Sequence, residues 1–315
     1  MITTVTLNPA IDREYFVENI DEMDNHFIYQ RENLKVYPGG KGVLSAINLK
    51  KLGYPDVQNI GFIGGKQGLF FEKMVQEYLV TTNYVYTEDE MRNNIKIIGI
   101  DSPKLIYYND YTYEVEEDKI EELIKRFKRS IVDSDLIMIS GSIPEGVDFD
   151  IYRKLVSICH KQEKKVYLQA SGEVLKKALK EKPEIVVPYF KHTDKILDVK
   201  VKDMDDYLRM GKELRNRGAQ RVILPYKCNR ILFDEDGVYL LSPQKLCLRS
   251  WLGAGDAYNA AFFDYIFQNG FNFMEANRYG GAAALSVAEE RLVFLEDRSQ
   301  VEENIKRIVI EELEV

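Results

Sequence analysis

GGKGVLSAINLKKLGYPDVQNIGFIGG, Gly39 to Gly65, sets the architecture. The first glycines open an apolar helical pattern from Gly42 to Leu52, and VQNIGFIG then reads as a buried strand ending in a second glycine pair. The strand ITTVTL precedes this unit, and another helical pattern follows from Gly68 to Leu79. That alternation implies parallel strands with crossover helices. It resumes with a helix from Ile120 to Ile131, strand DLIMIS, a helix from Phe149 to Gln162, strand KKVYLQA, a helix from Gly172 to Leu179 and strand EIVV. From Arg221, the segments RVIL, RILF and GVYLL read as an antiparallel run. Three C-terminal helices are expected after it, the last being VEENIKRIVIEEL with Ser299 as its N-cap.

Two excursions fit poorly into this scheme. Arg13 to Tyr37 contains REYFVEN and LKVY, and Asn94 to Val115 contains IKIIGI and LIYYNDYTYEV, all rich in β-branched and aromatic residues. Together they are expected to form a small sheet over the carboxyl ends of the main strands, where open α/β sheets bind ligands. No repeat, low-complexity tract or linker divides the chain. One domain over 1–315 is expected, with a lid built from about 13–40 and 90–115.

The 315 residues suffice for a substantial core, and 43 Lys plus Arg against 51 Asp plus Glu give a net charge of −8 with no basic block. Nucleic acid and anionic membranes are therefore disfavoured as partners. Cys159, Cys228 and Cys247 lack the paired spacing of a zinc site or disulfide framework and read as reduced core thiols. His26, His160 and His192 are isolated from one another, so no histidine metal cluster is expected. No stretch approaches the ~20 apolar residues of a membrane span, and the start reads as a strand; a cytoplasmic location is expected.

The chemistry concentrates in SWLGAGDAYNAAFFDYIF, Ser250 to Phe267. A first-turn carboxylate is stabilised by free helix N–H groups, so Asp256 reads as a cap. A cap needs no flanking glycines, whereas Gly253 and Gly255 allow a ligand to approach bare amides, as at helix starts that hold anions. The motif leaves open whether Asp256 caps the helix, acts as a base beside a phosphate, or repels one. A dinucleotide site is disfavoured, because Gly61 to Gly65 lacks the Gly-x-Gly-x-x-Gly spacing and its downstream acidic residue.

Order adds what single motifs lack. Asn8-Pro-Ala-Ile-Asp12, Gly39-Gly-Lys-Gly42, Gly61-Phe-Ile-Gly-Gly65, Arg92-Asn-Asn94, Ser140-Gly-Ser-Ile-Pro144, Ser171-Gly-Glu173 and Gly253-Ala-Gly-Asp256 follow one another along the chain. In this order they resemble the ribokinase-like (PfkB) sugar kinases, and within them the 1-phosphofructokinase and tagatose-6-phosphate kinase branch, from Thr4 to about Ala288. The resemblance implies an α/β fold, with a central mostly parallel sheet flanked by helices and a small β-sheet lid. It also implies transfer of the γ-phosphoryl group of ATP to a sugar hydroxyl, with ATP and Mg²⁺ as cofactors. By resemblance Asp256 is the catalytic base, and Gly253, Ala254 and Gly255 form the anion hole. Asp12, Gly39 and Gly40 hold the sugar, Lys41 and Arg92 bind the phosphate it already carries, and Asn94 with Ser140, Gly141 and Ser142 completes the wall. An isolated Lys, Arg or strand-end Asp is usually a surface or turn residue; the shared context favours the ligand role. Relatives pair through their lids, so a homodimer is expected, with Tyr107, Tyr108, Tyr111 and Tyr113 available for the contact.

Departures gather on the nucleotide side. Where the family has Lys-Pro-Asn and a glutamate three residues on, this chain reads Val187-Pro-Tyr189-Phe-Lys-His192. Where the family has Ser-Leu-Gly-Ala-Asp-Gly, Leu224 is followed by Pro225-Tyr-Lys-Cys-Asn-Arg230, so that Lys227 and Arg230 replace glycines. These cations either touch a nucleotide phosphate or block the family's mode of binding. Leu44 replaces an Asn on the sugar side, which alters which sugar is accepted. No metal ligand is assigned; Mg²⁺ is left to water, to Glu173 or to ATP itself. Two readings follow: an active kinase of a phosphorylated ketose, or a catalytically impaired sugar-phosphate binding protein acting as a sensor or partner subunit.

Overall fold

The computed structural model describes residues 1–20, 28, 30–102, 104–189, 201–290 and 292–314. Among them, ten strands form one sheet and four form a second. Across the large sheet the order is Ile308–Glu312 (β14), Val238–Pro243 (β13), Asn229–Phe233 (β12), Arg221–Tyr226 (β11), Ile185–Val186 (β10), Lys165–Gln169 (β9), Leu136–Ser140 (β8), Ile2–Thr6 (β1), Val57–Gly64 (β4) and Thr81–Thr87 (β5). Pairing is parallel from β11 to β5 and antiparallel from β11 out to β14. Ile2, Val5, Ile60, Phe62, Ile63, Ile137, Met138 and Ile139 are all buried, as in a parallel sheet covered on both faces.

β1 lies between β4 and β8, so the chain winds one way through β4 and β5 and the other way through β8 and β9. This reversal opens a crevice beyond the carboxyl ends of the strands. The small sheet has the order Leu34–Gly39 (β3), Ala10–Val17 (β2), Asn93–Gly99 (β6) and Leu105–Tyr108 (β7). β2 starts directly after Leu7, Asn8 and Pro9, which carries Asp12 to the mouth of that crevice. Period-two alternation then turns Asp12, Glu14, Asn94 and Lys96 to one buried, polar face, with Glu14 and Lys96 directly opposite in register.

Four expectations are corrected. VEENIKRIVIEEL is not one helix: the helix Ser299–Asn304 gives way to a tight turn and then β14, which pairs with β13. The β-branched Ile308, Val309 and Ile310 complete a sheet edge, with Ile308 buried against the Gly281 backbone. Nor does Ser299 cap this helix; the Asp297 carboxylate accepts from its N–H at 2.8 Å and its hydroxyl at 2.6 Å. All three cysteines are free, yet only Cys159 is a core thiol, held protonated by burial, whereas Cys228 and Cys247 are exposed. Tyr107, Tyr108 and Tyr111 are exposed as a contact surface requires, but Tyr113 is buried with its hydroxyl donating to the Leu7 and Phe62 carbonyls. Among the described residues no helix is long and apolar enough to cross a membrane, and no group of three His, Cys, Asp or Glu is placed to hold a metal. His26 and His192 lie outside the described residues.

Candidate active site

A cleft of about 1390 Å³ lies between the small sheet and the carboxyl ends of the large one. Its lining includes Asp12, Gly40, Lys41, Arg92, Asn94, Gly141, Ser142, Lys227, Arg230 and Gly253 to Asp256, so most sequence-assigned residues meet in one space. Two do not face it. Ser140 is buried with its hydroxyl donating to the Val5 carbonyl at 3.3 Å. Gly39 serves Asp12 instead, since a Cβ there would meet the Asp12 carboxyl atoms at 2.6–2.8 Å.

Asp256 stands in the first turn of the helix Ala254–Asn269, started by Gly253 at φ 76°. That left-handed turn excludes a side chain, because a Cβ on Gly253 would lie 2.1 Å from the Val293 carbonyl oxygen. Above Gly255, by contrast, there is open space to 4 Å, so the exposed backbone is one residue pair further on. The N–H groups of Asp256 and Ala257 both donate to the Gly253 carbonyl. Those of Ala254 and Gly255 have no partner among the described residues and remain available to an anion. The Asp256 carboxylate caps nothing: its Oδ1 is buried without a hydrogen-bond partner. Burial pushes its pKa up to about 6, against the pull of Lys41 and Lys96, with Asp12 adding to the rise and Arg230 opposing it.

At the other end, Asp12 accepts from Asn94 Nδ2 at 2.7 Å and from Lys96 Nζ at 3.0 Å. Lys96 also reaches Glu14 at 3.3 Å and the Tyr37 hydroxyl, which donates to Glu14. Buried carboxylates need such pairing. Burial first, then Asp12 and Glu14, hold the Tyr37 phenol protonated, while the same two carboxylates outweigh burial and raise the pKa of Lys96. Asn8 Oδ1 and Arg92 Nε are buried in this wall without partners. Together with Asp256 Oδ1, three of the five orphaned side-chain atoms found among the described residues belong to residues of this cleft. Buried polar groups are almost always satisfied, so these three atoms are open to a polar partner, water or ligand.

Also in the cleft, Lys41 lies over the Tyr189 ring at 4.5 Å and Arg230 over the Tyr258 ring at 3.9 Å. Lys227 sits at the hairpin turn with φ 52°. Leu241, Leu246, Ala284, Leu285, Ala288 and Val293 add an apolar lining to the cleft. For Mg²⁺ the donor set does not fit: Asp12 is engaged by Lys96 and Asn94, Glu173 pairs with Lys176 at 2.8 Å, and no third carboxylate joins Asp256. The described residues build no metal cage.

Fold and cleft together define a ribokinase-like protein. The model for "pfkB family carbohydrate kinase" matches residues 6–294, and the chain belongs to that family. It is 30% identical over 315 residues to a D-tagatose-1-phosphate kinase of Bacillus licheniformis, covering 99% of this chain and 100% of the relative. To a 1-phosphofructokinase of Bacillus subtilis it is 27% identical over 263 residues, covering 83% of this chain and 84% of the relative. A crystal structure of a possible 1-phosphofructokinase from Thermotoga maritima superposes with a TM-score of 0.93 at 30% identity over 100% of both chains.

Asn8, Glu14, Tyr37 and Lys96 escaped the assignment of site residues from sequence. A signal was present in Asp12-x-Glu14 and Asn94-x-Lys96, charged or amide residues two apart inside β-forming segments, which places them on one face.

Proposed function

We propose that this cleft transfers the γ-phosphoryl group of ATP to a hydroxyl of a phosphorylated ketose. The observation that carries this reading is the orphaned, buried Asp256 oxygen beside the open amides of Ala254 and Gly255, in a cleft that also gathers Asp12, Lys41 and Arg92. The hydroxyl oxygen bonds to the γ-phosphorus while the bond to the β–γ bridging oxygen breaks; ADP leaves with that electron pair and the hydroxyl proton passes to Asp256. Charge on the moving group is met by the amides of the Gly253 to Gly255 turn. Asp12, Gly40, Asn94 and Gly141 orient the sugar, with Gly39 and Ser140 supporting from behind, and Lys41 and Arg92 offset its phosphate. Lys227 and Arg230 face the donor, which brings Mg²⁺ on its own phosphates. The proposal includes a single domain over 1–315 whose small sheet acts as a lid, and a homodimer through the exposed edge strand β7.

Candidate acceptors are fructose 1-phosphate, fructose 6-phosphate and tagatose 6-phosphate, to which the Bacillus licheniformis relative adds tagatose 1-phosphate. Leu44, where the branch has an amide, lines the cleft and narrows the choice. A coupled ADP-release assay on these four tests the reading; turnover on at least one is expected, and none on any overturns it. The alternative of a non-catalytic binding protein is not taken up, since the named relatives are kinases and the Asp256 turn is intact.

Two further results are expected. kcat/KM falls as pH drops, with an inflection near pH 6 as the free enzyme's Asp256 takes up a proton. A flat profile between pH 5 and pH 8 contradicts this assignment. Gly255→Ala keeps or raises the melting temperature, because the Cβ meets nothing and alanine favours the helix by up to about 1 kcal/mol. It lowers kcat about 100-fold by standing where the phosphoryl group passes. The same change at Gly253 destabilises the fold instead.

A further inference from the structure

We infer that Arg230 is a catalytic residue that sets a fixed positive charge on the donor phosphates, in a chain that has Tyr189 and His192 where the resemblance implies metal-organising side chains. The inference rests on the kinase reading above. Arg230 extends from β12 into the cleft, and its guanidinium carbon lies over the Tyr258 ring, 3.9 Å from the ring centre. Tyr258 is buried, its hydroxyl donates to Asn277, and it follows Asp256 by two residues on the same helix, so the platform cannot move independently of the base. Among the described residues Arg230 makes no ion pair or hydrogen bond, which leaves its N–H edge free for an anion. Its charge is felt at the Asp256 carboxylate.

Lys41, assigned above to the phosphate the sugar carries, likewise lies over a ring, that of Tyr189. Of the four positions where the resemblance expects nucleotide-organising or metal-organising residues, Tyr189 lies under Lys41, Lys227 and Arg230 are cations over aromatic rings, and His192 lies outside the described residues. An arginine held in cis at a phosphoryl-transfer site stabilises charge on the transferring oxygens, and a stacked one needs little reorganisation to do so. Lys227, exposed at the hairpin turn, lies over the half-buried Tyr226 ring at the longer distance of 5.1 Å.

The test is calorimetric titration of ATP into the full chain with excess EDTA and with excess Mg²⁺, beside steady-state kinetics, for the native protein, Arg230→Gln and Arg230→Lys. The native protein is expected to bind metal-free ATP within about tenfold of Mg-ATP. Arg230→Gln should lose about tenfold or more of the metal-free affinity and about 100-fold in kcat, with the sugar-phosphate KM unchanged and Arg230→Lys intermediate. Native binding of ATP only with Mg²⁺, or a glutamine variant unchanged in both measurements, overturns the inference and leaves the kinase reading standing. A native protein that binds sugar phosphate but ATP under neither condition overturns the kinase reading and this inference together.

Discussion

Asp256→Asn is expected to lower kcat about 10³-fold and, at neutral pH, to make the protein more stable. Both effects have one cause. The carboxylate is buried with an unpartnered oxygen, so its charge is held ready for a proton at the expense of the fold. With a folded pKa of about 6 against 3.8 unfolded, the native state binds the proton more tightly, and stability declines as pH rises from about 4 to about 6. A difference of about two units corresponds to about 3 kcal/mol, an upper estimate of what asparagine recovers above pH 6. Below pH 4 the two proteins should be equally stable. Urea denaturation at pH 4 and pH 7.5 measures this; a variant less stable than the native protein at pH 7.5 contradicts the strained-base assignment.

Lys96→Met is expected to destabilise by about 3–5 kcal/mol, the usual consequence of removing one partner from a buried charge cluster. Lys96 stands between Asp12 and Glu14, and all three are buried. Without the ammonium the two carboxylates keep only the Asn94 amide and the Tyr37 hydroxyl. Two like charges are then left facing each other in a buried site with no cation between them. Adding Glu14→Gln removes one of the stranded charges and should restore part of the stability, which a double-mutant cycle reads directly. A single-variant loss below about 1 kcal/mol would show that water reaches the cluster.

The parallel half of the fold was legible because each buried strand is short, apolar and followed by glycine and a helical period, as in VQNIGFIG before Gly68 to Leu79. The C-terminus was not, because IVIEEL carries an apolar spacing that suits a helix face as well as an edge strand. Only the open edge of β13 decides between them. The turn from Gly253 to Asp256 could be located from local sequence, yet the open amide surface lies at Gly255, a distinction set by Val293 some forty residues away. Lys96 was passed over for the same reason: a lysine in a strand reads as solvated until Asp12, Glu14 and Tyr37 close around it.

Phosphorus NMR of the native protein with Mg-ATP and a ketose phosphate that supports ADP release tests the central claim most directly. A new phosphomonoester signal growing in step with ADP, and absent when Asp256→Asn replaces the native protein, is the predicted result. ADP accompanied by inorganic phosphate with no sugar bisphosphate, or an undiminished sugar signal from the variant, would contradict a single carboxylate taking the acceptor's proton between two anionic substrates.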